Sequence, residues 1–321
     1  MKKLLLASPR GFCAGVVRAV DIVDLALKHY GTPLYVRKEI VHNQSVVQSF
    51  KDQGVVFIEE LSEAPKNSRV IFSAHGVSPQ VREEARGKGL KIIDATCPLV
   101  TKVHSEVHKY KKLGYSIVLI GHKEHEEVEG TFGEAPDIIQ IVGHLADIDR
   151  LKNINPEKVV ALTQTTLSVD EANFLIDALK VKYPKLTTPP KGDICYATQN
   201  RQDAVRALVK AGIDLLLVIG SQNSSNSKRL AELATSLGVS GYLVDSANEI
   251  ESSWLDNKKT IGLTAGASAP EYLVQQVVEK LKPLGFEEED FSFVKEDVLF
   301  QLPKELQNLQ ENQSTALPTH R

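Results

Sequence analysis

Residues 10–15, RGFCAG, put Cys13 between two glycines, after the apolar run KLLLAS (3–8) and before VVRAVDIVDLALKHY (16–30), whose apolar residues recur at helical spacing. A cysteine at such a strand-to-helix junction has three readings: a small core residue, a nucleophile or a metal ligand. The same arrangement returns twice. CPLVTKVHSEV opens at Cys97 and CYATQNRQDAV at Cys195, 84 and then a further 98 residues along. After each helix-like segment an apolar strand ends in a polar cluster: YVRKEIVHN, IVLIGHKEHEEVEG and LLVIGSQNSSN. This places His42 29 residues after Cys13, His125 28 after Cys97 and Ser224 29 after Cys195. A second polar strand end follows in each copy, with His75 in IFSAHG, Thr165 in ALTQTT and Ser268 in GLTAGAS, at 62, 68 and 73 residues from the cysteine.

Strand-like and helix-like segments alternate along the chain, which predicts an α/β fold of mainly parallel sheets wrapped by helices. Length alone suggests about two domains of roughly 150 residues. The repeat argues instead for three α/β units related by a pseudo-threefold axis: 14–96, 97–194, and 195–285 completed by the N-terminal segment 1–13. Residues 286–321 form a C-terminal extension without a motif, its first part read as a strand and its last dozen residues as loosely held. Ligands of open parallel sheets gather outside the carboxyl ends of the strands, so three such units aim their polar strand ends at one central cavity. Three equivalent cysteines then converge on one point. They could hold zinc, although structural zinc sites usually show a local C-x2-4-C pair and none is present. An iron-sulfur cluster is soft, prefers thiolates and suits ligands from separate walls. Three cysteines on a four-iron cube leave one iron without a protein thiolate, which suggests catalysis rather than simple electron carriage.

The composition bounds the rest. With 42% hydrophobic and 25% charged residues and a formal net charge of -3, the 321-residue chain is an ordinary globular one, with no electrostatic footprint for nucleic acid or an anionic membrane. The start MKKLLLASPRG carries too short an apolar run for a signal-peptide core, and no stretch approaches the roughly 18 apolar residues of a membrane span. The expected location is the cytoplasm. Three widely spaced cysteines make no disulfide framework. His29, His104, His108, His144 and His320 read as structural or surface residues, whereas His42, His75 and His125 each end an apolar strand in a repeated slot. SQNSSNSKR reads as a helix cap or as an anion site at a helix start. HKEHEEVEG reads as a solvated loop or as a His-Glu pair placed for proton transfer. No GxGxxG follows a strand and no flavin signature is present, so reducing equivalents are expected from another protein. These residues leave three readings open: a cluster-bearing enzyme, a non-catalytic sensor of a phosphorylated metabolite or oxygen, and a three-thiolate zinc hydrolase.

GFCAGV, VHN, SAHGV, DATCP, GHxxHxEVEG, TQTTLS, DICYATQNRQ, GSxNSSNS and TAGASAP, in this order and spacing over about residues 4–285, resemble the 4-hydroxy-3-methylbut-2-enyl diphosphate reductase family. The resemblance implies a cloverleaf of three α/β units around a 4Fe-4S cluster held by Cys13, Cys97 and Cys195, with one iron open. It implies an allylic diphosphate substrate, reduced with loss of water in the last step of the non-mevalonate isoprenoid pathway. His42, His75 and His125, together with Ser224, Ser225, Asn226 and Ser268, take the diphosphate contacts by the same resemblance. Glu127 becomes the proton source and Thr165 part of its relay. The implied electron donor is a ferredoxin or flavodoxin with its reductase. One departure is visible: the family usually reads His-Pro-Glu where this chain has His125, Glu126 and Glu127. Adjacent residues of an extended segment point in opposite directions. Only one of the two glutamates is therefore expected to face the cavity, and the spacing to VEG favours Glu127.

Overall fold

The computed structural model describes residues 1–307; the last dozen residues, expected to be loosely held, lie outside them. Among the described residues twelve strands alternate with α-helices, and the strands form three separate sheets in which every pairing is parallel. The first sheet is built from β2 (Leu34–Arg37), β3 (Val55–Ile58), β4 (Arg69–Phe72) and β5 (Lys91–Asp94), in the order β3-β2-β4-β5. The second has β6 (Ser116–Ile120), β7 (Ile139–Val142) and β8 (Val159–Thr163), in the order β7-β6-β8. The third has β9 (Leu215–Ile219), β10 (Ser240–Val244), β11 (Thr260–Ala265), β1 (Lys2–Ser8) and β12 (Phe286–Ser292), in the order β10-β9-β11-β1-β12.

One topology underlies all three. Counting strands along each unit, the spatial order is second, first, third, fourth. The fourth position is β5 in the first unit and β1 in the third. In the second unit it shrinks to a single parallel bridge between Val160 and Thr187. The direction of strand progression therefore reverses between the first and third strands of every unit, which is where α/β sheets open a ligand crevice. These are the three parallel-sheet α/β units expected from the repeat. β12 adds itself beyond β1, pairing Lys2 with Phe286 through Ser8 with Ser292, so the N-terminal strand is not left as an unpaired edge.

The helices are α1 (Ala14–Tyr30), α2 (Gln44–Asp52), α3 (Pro79–Gly87), α4 (Pro98–Lys112), α5 (Glu126–Gly133), α6 (Leu145–Arg150), α7 (Val169–Lys182), α8 (Tyr196–Lys210), α9 (Ser225–Ser236) and α10 (Glu271–Leu281). Their apolar stripes decide how they sit. α1 buries Val16, Ala19, Ile22, Val23 and Ala26 against Leu34, Val36 and Ile71 of the first sheet. β9, LLLVI, is buried along its whole length between helices on both faces, as a central parallel strand must be. Each such aliphatic side chain contributes roughly 1.5–3 kcal/mol of burial.

After β12 the chain runs as a strap across the units. Glu296 accepts hydrogen bonds from Asn200 and from Arg201, a fully buried guanidinium on α8. Gln301 O accepts from Arg18 Nε on α1 at 2.7 Å, and Leu306 is buried in the first unit's core. No helix among the described residues is long and apolar enough to cross a membrane.

Candidate active site

The repeated polar slots fall at fixed distances from the strands. His42, His125 and Ser224 each lie five residues after the first strand of their unit, counted from Arg37, Ile120 and Ile219. His75, Thr165 and Ser268 lie three, two and three residues after Phe72, Thr163 and Ala265, the ends of the third strands. Both sets therefore flank the three switch points. Each cysteine is the N-cap residue of a long helix: Cys13 of α1, Cys97 of α4 and Cys195 of α8. The backbone ties the two patterns together. Cys13 N–H donates to Ala267 O (3.1 Å), Cys97 N–H to Ala74 O (2.9 Å) and Cys195 N–H to Thr165 O (3.0 Å). Each cysteine is thus hung from the polar loop that follows a third strand.

All twelve candidate residues line one cavity of about 760 Å³ including its open mouth: Cys13, Cys97, Cys195, His42, His75, His125, Glu127, Thr165, Ser224, Ser225, Asn226 and Ser268. Two of the thiols, those of Cys13 and Cys97, meet at Gly15, the second residue of α1. A Cβ added there would lie 2.7 Å from Cys97 Sγ and 3.8 Å from Cys13 Sγ, so only glycine keeps the space between these sulfurs clear. Without a compensating cation, burial pushes the Cys97 thiol up to about 12 and the Cys195 thiol up to about 11, with the neighbouring cysteines adding to both. Three soft donors in one cavity, two of them buried thiols that resist ionisation unless a cation joins them, are a set suited to a metal centre.

The histidines form a second group. His42 and His75 stack with ring centroids 4.0 Å apart, and His125 stands edge-on to both at 5.4 and 5.8 Å. His125 caps α5, its Nδ1 accepting from Glu127 N–H at 3.1 Å. Burial, then the neighbouring His75 and His42, push His125 down to about 3. It is therefore neutral, with its Nε2–H turned into a donor by the bond at Nδ1. Ser224 caps α9 and accepts from Ser227 N–H at 3.3 Å, which leaves the first turn of that helix as a source of amide donors for an anion. Ser268 Oγ donates to His42 O (2.8 Å) and Ser225 Oγ to Thr166 O (3.2 Å). Asn226 Oδ1 accepts from Ala267 N–H at 2.9 Å, bracing the loop that holds Cys13.

Glu127 is buried, 3% exposed, and clamped by one residue: Thr165 N–H donates to Oε1 (2.6 Å) and Thr165 Oγ–H to Oε2 (2.9 Å). Burial pushes this carboxyl up to about 7, against the opposing pull of the two Thr165 bonds. A carboxyl that titrates near neutrality inside a cavity is matched to proton transfer.

Glu127 lines the cavity and Glu126 does not, as expected, but the reason differs, because this segment is not extended. His125 turns the chain into α5, and both glutamates sit in its first turn, about 100° apart on the helix rather than on opposite sides. Glu127 reaches Thr165 while Glu126 Oε2 lies 2.9 Å from His75 Nδ1. Burial opposes ionisation of Glu126, but the His75 contact together with His42 and Lys38 outweighs it and holds the carboxyl below its usual range.

Several residues that support the site were not singled out from sequence. Glu39 Oε2 lies 3.2 Å from His42 Nδ1 and accepts from Asn223 Nδ2 at 2.7 Å. Thr198 touches Cys195, its N–H 3.4 Å and its Oγ1 3.1 Å from Sγ; its position three residues past a helix-opening cysteine was the available cue. Tyr196 OH accepts from Ala14 N–H at 3.1 Å, and Phe300 of the strap lines the cavity. No periodicity in the sequence marks either role. His104, read as structural, is buried on α4 with Nδ1 2.8 Å from Glu134.

Residues 4–282 match the LytB protein family. The chain is 53% identical over 307 residues to 4-hydroxy-3-methylbut-2-enyl diphosphate reductase of Aromatoleum aromaticum, covering 95% of this chain and 98% of that one. It is 52% identical to the protein of that name from Streptomyces coelicolor, covering 100% and 95%. Among solved structures, the E-1-hydroxy-2-methyl-but-2-enyl-4-diphosphate reductase of Plasmodium falciparum superposes with a TM-score of 0.93 at 41% identity, over 98% of this chain and 99% of that one. The chain belongs to the LytB family.

Proposed function

We propose that this LytB-family chain is a 4-hydroxy-3-methylbut-2-enyl diphosphate reductase. It removes the allylic hydroxyl with two electrons and two protons, releasing one water and forming isopentenyl and dimethylallyl diphosphates. The observation that carries this reading is the meeting, in one cavity, of three helix-capping cysteines, three imidazoles and a carboxyl that titrates near neutrality. Cys13, Cys97 and Cys195 would hold a 4Fe-4S cluster through three of its irons; when bound, the cluster supplies the electrons and a Lewis acid at the fourth.

The remaining work falls to the chain. His125 donates through Nε2–H to the diphosphate without carrying a charge. His42, His75 and the start of α9, with Ser224, Ser225 and Asn226, complete the anion contacts, and Ser268 joins them when its hydroxyl turns from the His42 carbonyl. Hydrogen bonds to phosphate oxygens are charge-assisted, so a mildly acidic protein still binds a multiply charged anion. Glu127 holds a proton at a carboxyl oxygen beside the hydroxyl of Thr165, which can pass it toward the leaving oxygen. Walls formed by Val41, Leu99, Val100, Ala267 and Phe300 keep water from the allyl group. Electrons arrive from a small ferredoxin- or flavodoxin-type protein in the cytoplasm.

Anaerobic purification with iron and sulfide quantitation, followed by dithionite-driven turnover of 4-hydroxy-3-methylbut-2-enyl diphosphate, tests the assignment. Formation of both C5 diphosphates is expected. Substrate binding with no turnover by an iron-loaded protein would favour the sensor reading, and zinc in place of iron the hydrolase one.

A further inference from the structure

The three imidazoles that face the cavity are wired in two ways. His125 has its Nδ1 filled by a backbone N–H, so its Nε2 carries the proton and donates while neutral. His75 has its Nδ1 against a carboxylate, Glu126 Oε2 at 2.9 Å, a contact closer than the Ser73 hydroxyl at 3.3 Å. We propose that Glu126 is a positioning residue that makes binding of the diphosphate take up a proton at His75; this rests on the diphosphate reading above.

A carboxylate accepts hydrogen bonds and cannot give one, so Glu126 holds the single proton of neutral His75 on Nδ1. Nε2 then presents a lone pair to the cavity. A lone pair repels phosphate oxygen, and the contact forms only when a second proton is bound and the ring becomes an imidazolium between two anions. The groups facing His75 favour this order of events. On one side stand His42, stacked at 4.0 Å, and His125 at 5.8 Å; on the other stand Glu126, backed by Lys38, and Glu39 behind His42. Before an anion arrives, burial and then His42 hold His75 below its ordinary value despite Glu126. A diphosphate reverses the balance, because it adds negative charge on the open face of the ring. With proline in place of Glu126, the Ser73 hydroxyl can donate to Nδ1, Nε2 keeps its hydrogen, and no proton need enter.

The position is well suited to test. Glu126 is the first residue of α5, where the amide has no intrahelical partner, and His125 before it is extended at φ -83°, ψ 133°. Proline is favoured at that place and tolerates that predecessor, so Glu126→Pro should fold. Glu126→Gln keeps the size and removes the charge, and Glu126→Asp restores a carboxylate. The experiment is calorimetric titration of anaerobic, cluster-loaded protein with inorganic diphosphate, in two buffers of different ionisation enthalpy near neutral pH. The difference in heat between buffers reads the protons taken up on binding. Protonation of the diphosphate itself is common to all four proteins and cancels in the comparison.

The parent and Glu126→Asp are expected to take up about one proton more than Glu126→Gln and Glu126→Pro. In turnover, KM of the parent should rise with pH by up to about tenfold per unit more steeply than that of Glu126→Pro, with kcat far less affected. Equal proton uptake by the parent and Glu126→Pro, both binding diphosphate, would overturn the role of Glu126 while leaving the site assignment intact. Failure of both inorganic diphosphate and the allylic diphosphate to bind any of the four proteins would overturn the diphosphate reading and this proposal with it.

Discussion

The thiol side and the polar side of the cavity grow from the same threefold repeat, yet they keep its symmetry to different degrees. On the thiol side the three units contribute the same residue in the same place, a cysteine at the N-cap of a helix of 15 or 17 residues. On the polar side the equivalent slots have diverged into His42, His125 and Ser224 after the first strands, and His75, Thr165 and Ser268 after the third. A cluster with equivalent corners asks the same of each unit. A substrate with a charged end and a hydroxyl end asks different things of each, and only asymmetry can meet it. On the function proposed above, the repeat is a scaffold for the cofactor, with the substrate site written over it.

The hardest way to break this comparison is to remove one thiol at a time. Cys13→Ser, Cys97→Ser and Cys195→Ser are each expected to lose most bound iron and activity, because each cysteine comes from a different wall. Iron retained at the parent level in any one of them would end the equivalence of the three units. Gly15→Ala tests the same side without touching a ligand: its methyl would press on Cys97 Sγ, so iron content should fall although all three thiols remain.

On the polar side the largest effect belongs to Glu127→Gln, which keeps size and hydrogen bonding but holds no transferable proton. A positioned general acid contributes typically about a hundred- to ten-thousand-fold, and kcat should drop by at least the lower figure while substrate still perturbs the visible spectrum. The pH dependence gives the sign. Glu127 must be protonated to donate, and its carboxyl is raised to about 7, so kcat is full below that value and declines as pH rises through it. Thr165→Val deletes a hydroxyl bond that favours the carboxylate, so this alkaline limb should move to higher pH; a move to lower pH would contradict the assignment. Smaller still is His125→Ala. It removes one hydrogen bond to a charged group, about 1.5–3 kcal/mol or roughly 10- to 150-fold in KM, with iron content unchanged.

How much of this was legible follows the same division. The cysteines and the polar strand ends could be read because they recur at matched distances, and recurrence survives without knowledge of geometry. What does not recur was hidden. Glu39 lies in YVRKEIVHN, which reads as one continuous strand, but β2 stops at Arg37 and Lys38 turns the chain with φ 59°, bringing Glu39 behind His42. The start of α5 carried its own signal, acidic residues at Glu126, Glu127 and Glu129, which favour a helix N-terminus. The charged appearance of HKEHEEVEG made a loop the simpler reading, and the two glutamates were set on opposite sides. The strap from Phe293 to Leu306 has no periodicity at all. Its position follows from single contacts, Glu296 with buried Arg201 and Leu306 in a distant core, which only the folded chain reveals.

The smallest expected effect separates what a cysteine does for the cluster from what it does for the helix. N-cap residues normally accept a hydrogen bond from an amide in the first turn, and serine is among the best. Asn43, His125 and Ser224 on the polar side all make that bond. On the thiol side Cys13 makes none, Cys97 has the Leu99 and Val100 amides near its sulfur but no regular cap bond, and Cys195 accepts from Thr198 N–H at 3.4 Å, an ordinary length for the weak acceptor sulfur. Two of the three helices thus lack a regular side-chain cap, and the third is capped by sulfur rather than oxygen. Serine at position 97 should therefore cost the metal but help the helix. Compared as iron-free proteins, Cys97→Ser is expected to be more stable than the parent by up to about 1 kcal/mol, with Cys195→Ser closer to neutral because a cap of sorts already exists there. Thermal melting of the iron-free proteins reads this as a rise of about 1–4 °C. A Cys97→Ser protein that melts several degrees below the iron-free parent would mean that the thiol is needed for packing as well as for metal, and that the two sides of the cavity are less separate than their chemistry suggests.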